Sequence, residues 1–245
     1  MLWRLRTVAL ALIAVVAMAA RPAAAAVVTA TYSGTVASGF DFLGVFGTPG
    51  RDLSGKAYSA RYVFDDRTPG LSRQTSSSLT YLFGYNRTGS PPFMASTLLI
   101  DGVQTVLTSP GSGAAYTLFN DPRDQIDHSF VSNFFDSGAF IDTWSMIFDV
   151  RSNVGFLPDK SYASPFTARV DPTATVYGVY GNSRYSKASN STTSTILSFG
   201  IDWVSVSSVG PPIPDPRLWL LLTTGFGLVG WRLRSRRKAT IAVRA

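Results

Sequence analysis

The chain has 245 residues, 45% hydrophobic and only 15% charged, with a formal net charge of +7. It contains no Cys and only one His. It also contains no Glu, and all 15 acidic residues are Asp. This composition excludes disulfides, thiol nucleophiles, Cys-ligated metal sites, Glu-based acid–base chemistry and any site that needs several His ligands from one chain.

The positive charge lies at the two ends of the chain. Residues 27–213 carry 12 basic and 14 acidic side chains, a net charge of −2. The excess of Lys and Arg flanks two apolar segments, which is the pattern of membrane topology and not of phosphate binding. We therefore expect no nucleic-acid partner, although the sequence pI is about 9.9.

The first 26 residues are predicted to be a cleaved signal peptide. Arg4 and Arg6 precede an apolar stretch over residues 7–20, which is too short for an ordinary membrane span. Ala24 and Ala26 then form an A-x-A site for signal peptidase before Val27. The alternative is an uncleaved N-terminal anchor.

Residues 27–209 are predicted to form one all-β domain, an antiparallel β-sandwich or jelly roll. Apolar and polar residues alternate with a period of two, as in half-buried strands, and no stretch shows a sustained helical period. The alternation is strongest over residues 58–64, 144–150 and 197–203, and further strands are expected near 29–37, 79–84, 115–120, 128–135 and 173–180.

Three local signals refine this prediction. Asp101-Gly102 between residues 96–100 and 103–108 predicts a tight hairpin. The alternation changes phase after Trp203, which indicates a β-bulge or bend. The Ser- and Thr-rich segment 182–195 is predicted to be a polar loop or edge.

Two short motifs could carry catalysis, and each has a simpler reading. His128 is the only imidazole and no G-x-S-x-G elbow accompanies it, so a strand-end or surface position is expected. Asp136-Ser137-Gly138 matches the core of aspartic proteases, which need two such aspartates. There is no second copy, and the tripeptide is also typical of a turn.

Ligand-binding readings stay open for two groups of side chains. Oxygen ligands for Ca²⁺ could come from Asp65, Asp66, Asn120, Asp121, Asp124 and Asp127, although these residue types also favour plain turns. Stacking faces for sugars could come from Tyr81, Tyr85, Tyr116, Tyr177, Tyr180 and Tyr185, which could equally be half-buried strand residues.

The C-terminal 36 residues are predicted to be a sorting tail. Residues 210–217 form a Pro-rich spacer that contains Pro214, Asp215 and Pro216. Residues 218–231 are uncharged and mostly apolar, with Trp near both ends, and are predicted to be a short transmembrane segment. Residues 232–245 form a basic cytoplasmic tail, whose stop-transfer cluster is Arg232, Arg234, Arg236, Arg237 and Lys238.

This order of features resembles the PEP-CTERM sorting signal of exported bacterial proteins. The matching elements are Pro214-Asp215-Pro216, Trp219, the glycines of the apolar segment and the arginine cluster. The family motif has Glu where this chain has Asp215, and here the chain continues past the cluster to Ala245. The resemblance implies that an exosortase-like membrane enzyme cuts near Pro214–Pro216 and releases or transfers the domain to the exterior of a Gram-negative bacterium that makes extracellular polysaccharide. The alternative is a plain C-terminal anchor that is never cut.

Together these observations predict an exported, non-catalytic surface or extracellular-matrix protein without a cofactor. The first alternative is a carbohydrate-binding module of the polysaccharide matrix, with or without Ca²⁺. The second is an Asp-based hydrolase, because paired aspartates are the one acid–base system that the composition allows.

Overall fold

The structure is a computed structural model that describes residues 27–66, 68–86, 93–107, 110–121 and 123–209. The compact unit that holds all of these residues ends at Val209. Several predicted features lie outside the described residues: the signal peptide 1–26 with Ala24 and Ala26, the motif Pro214-Asp215-Pro216, the segment 218–231 and the cluster from Arg232 to Lys238.

The described residues form thirteen strands and no helix. In chain order the strands are β1 (Val27–Asp41), β2 (Arg51–Asp52), β3 (Ala57–Asp65), β4 (Ser72–Thr75), β5 (Leu79–Asn86), β6 (Met94–Ile100), β7 (Val103–Leu107), β8 (Gly111–Leu118), β9 (Asp124–Asp136), β10 (Phe140–Ser152), β11 (Phe166–Arg169), β12 (Thr175–Ser186) and β13 (Ser191–Val209).

The strands pair in one continuous antiparallel sheet. The order is β4-β5-β8-β9-β10-β12-β13-β1-β3-β6-β7, with β2 attached to β1 and β11 attached to β13. The prediction of an antiparallel all-β domain is therefore confirmed. The hydrogen bonding is continuous, whereas the expected sandwich or jelly roll would divide the strands between two sheets.

The strands that the alternation predicts are present, because their apolar phase faces a buried interior. Tyr58, Tyr62 and Phe64 of β3 are buried, as are Met146 and Phe148 of β10. The hairpin β6–β7 turns at Asp101 and Gly102 with positive φ of 51° and 83°, the backbone of a type I′ turn.

The bulge near Trp203 is also confirmed. Ser33 pairs with Trp203 and Gly34 with Ile201, which leaves Asp202 as the extra residue in β13. The sheet needs Gly34 there, because a Cβ would overlap the carbonyl of Gly200. As a result Trp203 is 48% exposed while Val204 is buried.

One local prediction is wrong. The segment 182–195 is a regular hairpin in which Asn182–Ser186 pairs with Ser191–Thr195. Hydroxyl pairs such as Ser183 and Ser194, whose Oγ atoms lie 2.8 Å apart, stabilise it without apolar side chains. The short strands β2 and β4 lack any alternation that could have predicted them.

The sheet curls until its inner face packs against itself. Tyr62 on β3 and His128 on β9 are separated by five strand spacings, roughly 24 Å along a flat sheet. Their ring centroids nevertheless lie 5.5 Å apart. Tyr32 on β1 stacks on Phe148 of β10 at 5.2 Å, so the two halves of the sheet share one aromatic core.

Two loops add buried side chains to this core, and each is held by a buried aspartate. Asp41 accepts hydrogen bonds from the amides of Val45 and Phe46 at 2.8 and 2.6 Å. This contact seats Phe46 against Tyr180 in the interior. Hydrogen bonds from backbone amides to a carboxylate are charge-assisted. They replace the hydrogen bonds to water that these amides lose on burial.

His128 lies in the middle of β9 with none of its surface exposed, so the expected strand-end or surface position is wrong. Its Nδ1 is hydrogen-bonded to the Tyr32 hydroxyl at 2.7 Å, and its ring stacks on Tyr62. Burial lowers the pKa of His128 to about 3, which keeps the ring neutral at physiological pH.

Replacing His128 should remove an acid-dependent loss of stability. Below about pH 6.5 the unfolded chain protonates His128 and the folded chain does not, so the native state weakens as the pH falls toward 3. The free energy of unfolding of the wild type, relative to that of H128F, should drop by about 2 kcal/mol between pH 7 and pH 5. Urea unfolding at both pH values measures this. A difference that does not change with pH would contradict the assignment.

Candidate functional site

A row of polar and aromatic side chains crosses the outer face of the sheet. Tyr81 on β5 pairs with Tyr116 on β8, Tyr116 with Asp127 on β9, Asp127 with Asp149 on β10, and Asp149 with Tyr177 on β12. Residues directly opposite each other in an antiparallel pair point to the same face. We call these five residues the Tyr–Asp row.

The period of two places the row outside. Most members are flanked in sequence by buried side chains, such as Ala115 beside Tyr116 and Phe148 beside Asp149. At 4.7 to 4.9 Å between strands, the row is about 19 Å long from Tyr81 to Tyr177. It therefore offers a linear surface across five neighbouring strands.

Aromatic rings dominate both ends of the row. Tyr177 is 52% exposed at one end. At the other end, the rings of Tyr81 and Tyr116 meet edge to face with centroids 6.5 Å apart. Phe83 and Tyr85 continue the aromatic surface along β5, and Tyr85 is 60% exposed.

Two carboxylates face each other at the centre of the row. Asp149 accepts a hydrogen bond from Arg151 Nε at 2.6 Å through Oδ2, while its Oδ1 is buried without a hydrogen-bond partner. Asp127 is partly buried, and among the described residues it has neither a hydrogen bond nor an ion pair. Its nearest compensating charge is the guanidinium of Arg151.

The pKa values of both aspartates reflect this crowding. Burial, reinforced by the charge of Asp149, raises the pKa of Asp127 to about 7, and Arg151 opposes the rise. Burial also raises the pKa of Asp149, against the lowering effects of Arg151, Gln125 and Arg123. Near neutral pH Asp127 therefore exchanges a proton readily, and its ionised form can accept hydrogen bonds from a ligand.

The row combines two kinds of interaction. Tyrosine rings give flat apolar faces with polar tips, and ionised carboxylates accept up to two hydrogen bonds per oxygen. Hydroxyl-rich rings, whose C–H faces are apolar and whose edges donate hydrogen bonds, match this combination. The site lies on an open strand face.

The predicted Ca²⁺ ligands do not converge in the described residues. The carboxylate of Asp124 is buried and accepts hydrogen bonds from the amides of Asn120, Phe156 and Leu157 at 2.9, 2.7 and 2.8 Å. It holds the loop after β10 against the core, as Asp41 holds its own loop. Asp121 accepts from Ser78, and no group of three or more acidic or His side chains occurs in the described ranges.

Asp136, Ser137 and Gly138 form the turn between β9 and β10. The Gly138 amide donates to Asp136 Oδ1 at 2.8 Å, and Gly138 has a positive φ of 88°. Lys187 pairs with the Asp136 carboxylate at 2.8 Å. The structure thus gives these residues the turn that was the alternative to a protease motif.

The six tyrosines that could serve as sugar platforms separate into three groups. Tyr81, Tyr116 and Tyr177 belong to the row, and Tyr85 extends it along β5. Tyr180 is buried in the core. Tyr185 donates a hydrogen bond to Asn190 Oδ1 at 2.8 Å in the β12–β13 hairpin, away from the row.

A separate cleft of about 320 Å³ lies where the end of β10 meets the segment after β11. Its lining residues are Val150, Ser152, Val154, Gly155, Phe156, Arg169, Val170, Asp171 and Pro172. None of the row residues lines it. The Asp171 carboxylate is already bonded to the amide and the hydroxyl of Thr173, so it is not directed at a ligand.

Sequence reasoning did not single out Asp149 and Arg151. A signal was present, because Asp149 falls in the outward phase of the strand predicted over residues 144–150. Only the register of β9 against β10 shows that Asp149 lies opposite Asp127.

No protein-family model, curated protein or solved structure matches the chain. Within the described ranges no helix has the length and apolarity to cross a membrane.

Replacing Asp127 should stabilise the fold in a pH-dependent way. Because its folded pKa of about 7 lies above the ordinary value of 3.8, burial of the charge costs most above pH 7, and the cost disappears as the pH falls toward 4. D127N should raise the free energy of unfolding by about 4 kcal/mol at pH 8, with a gain that shrinks to about 1 kcal/mol at pH 4.5.

Urea unfolding at pH 8, 6 and 4.5 measures this gain. D202N is the matched control, because Asp202 is exposed and its removal also deletes one negative charge. Destabilisation by D127N at pH 8 would show that Asp127 is a structural carboxylate.

Proposed function

We propose that this protein is an exported, non-catalytic bacterial surface or matrix protein whose β domain binds polysaccharide through the Tyr–Asp row. The observation that carries the binding part is the alignment of three tyrosines and two aspartates on one outer face. Residues 1–26 would direct export, and residues 210–245 would deliver the domain to an exosortase-like enzyme.

The separation of charge supports the routing. The basic residues outside the domain flank the apolar segments 7–20 and 218–231, where they would set membrane orientation. The domain itself is slightly acidic and offers no basic surface for nucleic acid. After processing, the released part would carry neither cluster.

The chemistry of the outer face supports the binding. A carbohydrate chain presents apolar C–H faces that can stack on tyrosine and hydroxyls that can donate to carboxylates. An exposed ring at Tyr177 and a second aromatic group at Tyr81 and Tyr116 flank the aspartates, so several sugar units could be contacted along the row. The described residues include no cluster for a bridging metal, so binding is proposed without Ca²⁺.

One observation favours a second candidate, an Asp-based glycoside hydrolase. Asp127 and Asp149 are directly opposite, and Asp127 has a pKa of about 7, a value that suits a general acid. The open strand face argues for binding instead, because such hydrolases enclose the bond that they cleave. Release of reducing ends by the wild type and not by D127N would favour the enzyme.

The routing predicts two specific cuts. Mass spectrometry of the protein released by the native host should find Val27 as the first residue and a C-terminus near Pro214–Pro216. Deleting residues 232–245 should prevent the cut near Pro214–Pro216, because without the stop-transfer cluster the segment 218–231 is no longer held in the membrane for the enzyme. A released form that still carries Trp231 would contradict processing at the motif.

The binding predicts a loss of affinity when a row tyrosine is removed. Isothermal titration of the mature protein with neutral oligosaccharides, such as cellohexaose and the N-acetylglucosamine hexamer, should show saturable binding. Y177A should weaken it by about fivefold, since one stacking face is worth on the order of 1 kcal/mol. Y185A is the control tyrosine outside the row and should bind like the wild type. The proposal fails if no glycan binds or if both variants behave alike.

A further inference from the structure

The centre of the Tyr–Asp row has an excess of hydrogen-bond acceptors. Asp127 and Asp149 face each other, and ionised carboxylates can accept hydrogen bonds but cannot donate them. Arg151 bonds only to Oδ2 of Asp149, whose side chain is 6% exposed. Oδ1 of Asp149 is buried without a hydrogen-bond partner, although the side chain of Gln125 is close enough to lower the Asp149 pKa.

Asp127 is the accessible member of this pair. It is partly buried, and no described donor lies within hydrogen-bond distance of it. The other charged groups that influence the pair are Arg151, which is committed to Asp149, and Arg123. A ligand cation at Asp127 would therefore supply both the missing donors and the missing positive charge.

Aromatic rings stand on either side of the pair. Tyr116 lies opposite Asp127 and Tyr177 lies opposite Asp149. The face of a tyrosine attracts a cation as well as an apolar C–H surface. Two carboxylates between two rings are thus suited to a ring-shaped ligand that carries an ammonium group.

We infer that the ligand of the Tyr–Asp row is a polysaccharide with free, protonated amino groups, whose ammonium binds at Asp127 while its sugar rings stack on Tyr116 and Tyr177. This inference rests on the proposed function, since it names the class of glycan that the row binds. An ammonium brings three N–H donors to the pair. A uronic acid brings a third negative charge and is repelled.

A divalent cation satisfies the same pair less well. Ca²⁺ takes six to eight oxygen ligands, and the described residues supply no third acidic side chain there. Neutral sugars fit the rings but leave the charge of the pair uncompensated. The amino polysaccharide is the ligand class that uses every feature of the row.

Titration calorimetry with four hexamers tests the assignment on the mature protein at pH 7.5 and low salt, above the pKa of Asp127. The probes are hexameric glucosamine, hexameric N-acetylglucosamine, a hexameric uronate and hexalysine. Glucosamine should bind about tenfold more tightly than N-acetylglucosamine, and the uronate should not bind detectably. Raising the salt to 0.5 M should remove most of the preference for glucosamine.

D127N separates the charge from the stacking. It should weaken binding of glucosamine much more than binding of N-acetylglucosamine, so that the preference is lost, while Y177A should weaken both by a similar factor. D202N, which also deletes one exposed carboxylate, should retain the preference. Circular dichroism and urea unfolding of each variant confirm that it is folded.

The possible outcomes are distinct. Equal binding of the acetylated and free amines, or a preference that survives in D127N, overturns this inference and leaves polysaccharide binding standing. Binding of hexalysine as tight as that of glucosamine overturns it in favour of a cationic protein partner. Loss of binding on chelation with EDTA would assign the pair to a metal. Absence of binding by all sugars removes the proposed function as well.

Discussion

The contact between Tyr32 and His128 determines the shape of the whole domain. These residues lie four strands apart in the sheet, yet the Tyr32 hydroxyl and His128 Nδ1 are 2.7 Å apart in the buried interior. A single sheet has two faces and cannot bury one of them unless another layer covers it. This sheet curls until the two halves of its inner face pack against each other. Aromatic rings from both halves fill the interior that a second layer would otherwise cover. The curl also exposes the opposite face, on which the Tyr–Asp row lies.

The absence of a second layer in the described domain also explains why two aspartates are buried beneath loops. Loops must cover the openings of a curled sheet, and their backbone amides then need partners away from water. Asp41 and Asp124 provide these partners, with carboxylates that accept amides from Phe46 and from Phe156 and Leu157. Aspartate suits this role better than a longer acid, because its short side chain reaches only nearby backbone and loses little conformational entropy when it is fixed.

The longer strands could be predicted from the sequence because buried apolar and exposed polar residues alternate along each of them, as in residues 58–64. The bulge at Trp203 could be predicted for the same reason, since it interrupts that period. The curl could not, because it depends on contacts between strands that are distant in the chain. Asp127 and Asp149 lie on consecutive strands joined by the Asp136–Gly138 turn, but their exact pairing also depends on a register shift between Asp142 and Trp144 that the sequence does not signal. Likewise, His128 is a polar residue in a polar-looking sequence, and only the rings of Tyr32 and Tyr62 from the other half of the sheet account for its burial.

The low content of charge finally accounts for the unusual state of Asp127. The described basic side chains that form ion pairs are engaged elsewhere: Arg51 and Lys56 with Asp101, Arg151 with Asp149, Arg184 with Asp142 and Lys187 with Asp136. Other carboxylates, such as Asp124, are satisfied by backbone amides. Asp202 also has no side-chain partner among the described residues, but it is exposed and therefore hydrated. Asp127 is instead partly desolvated next to a second carboxylate, where an unpaired charge destabilises the fold. The proposed ammonium ligand would supply the positive charge that this site lacks.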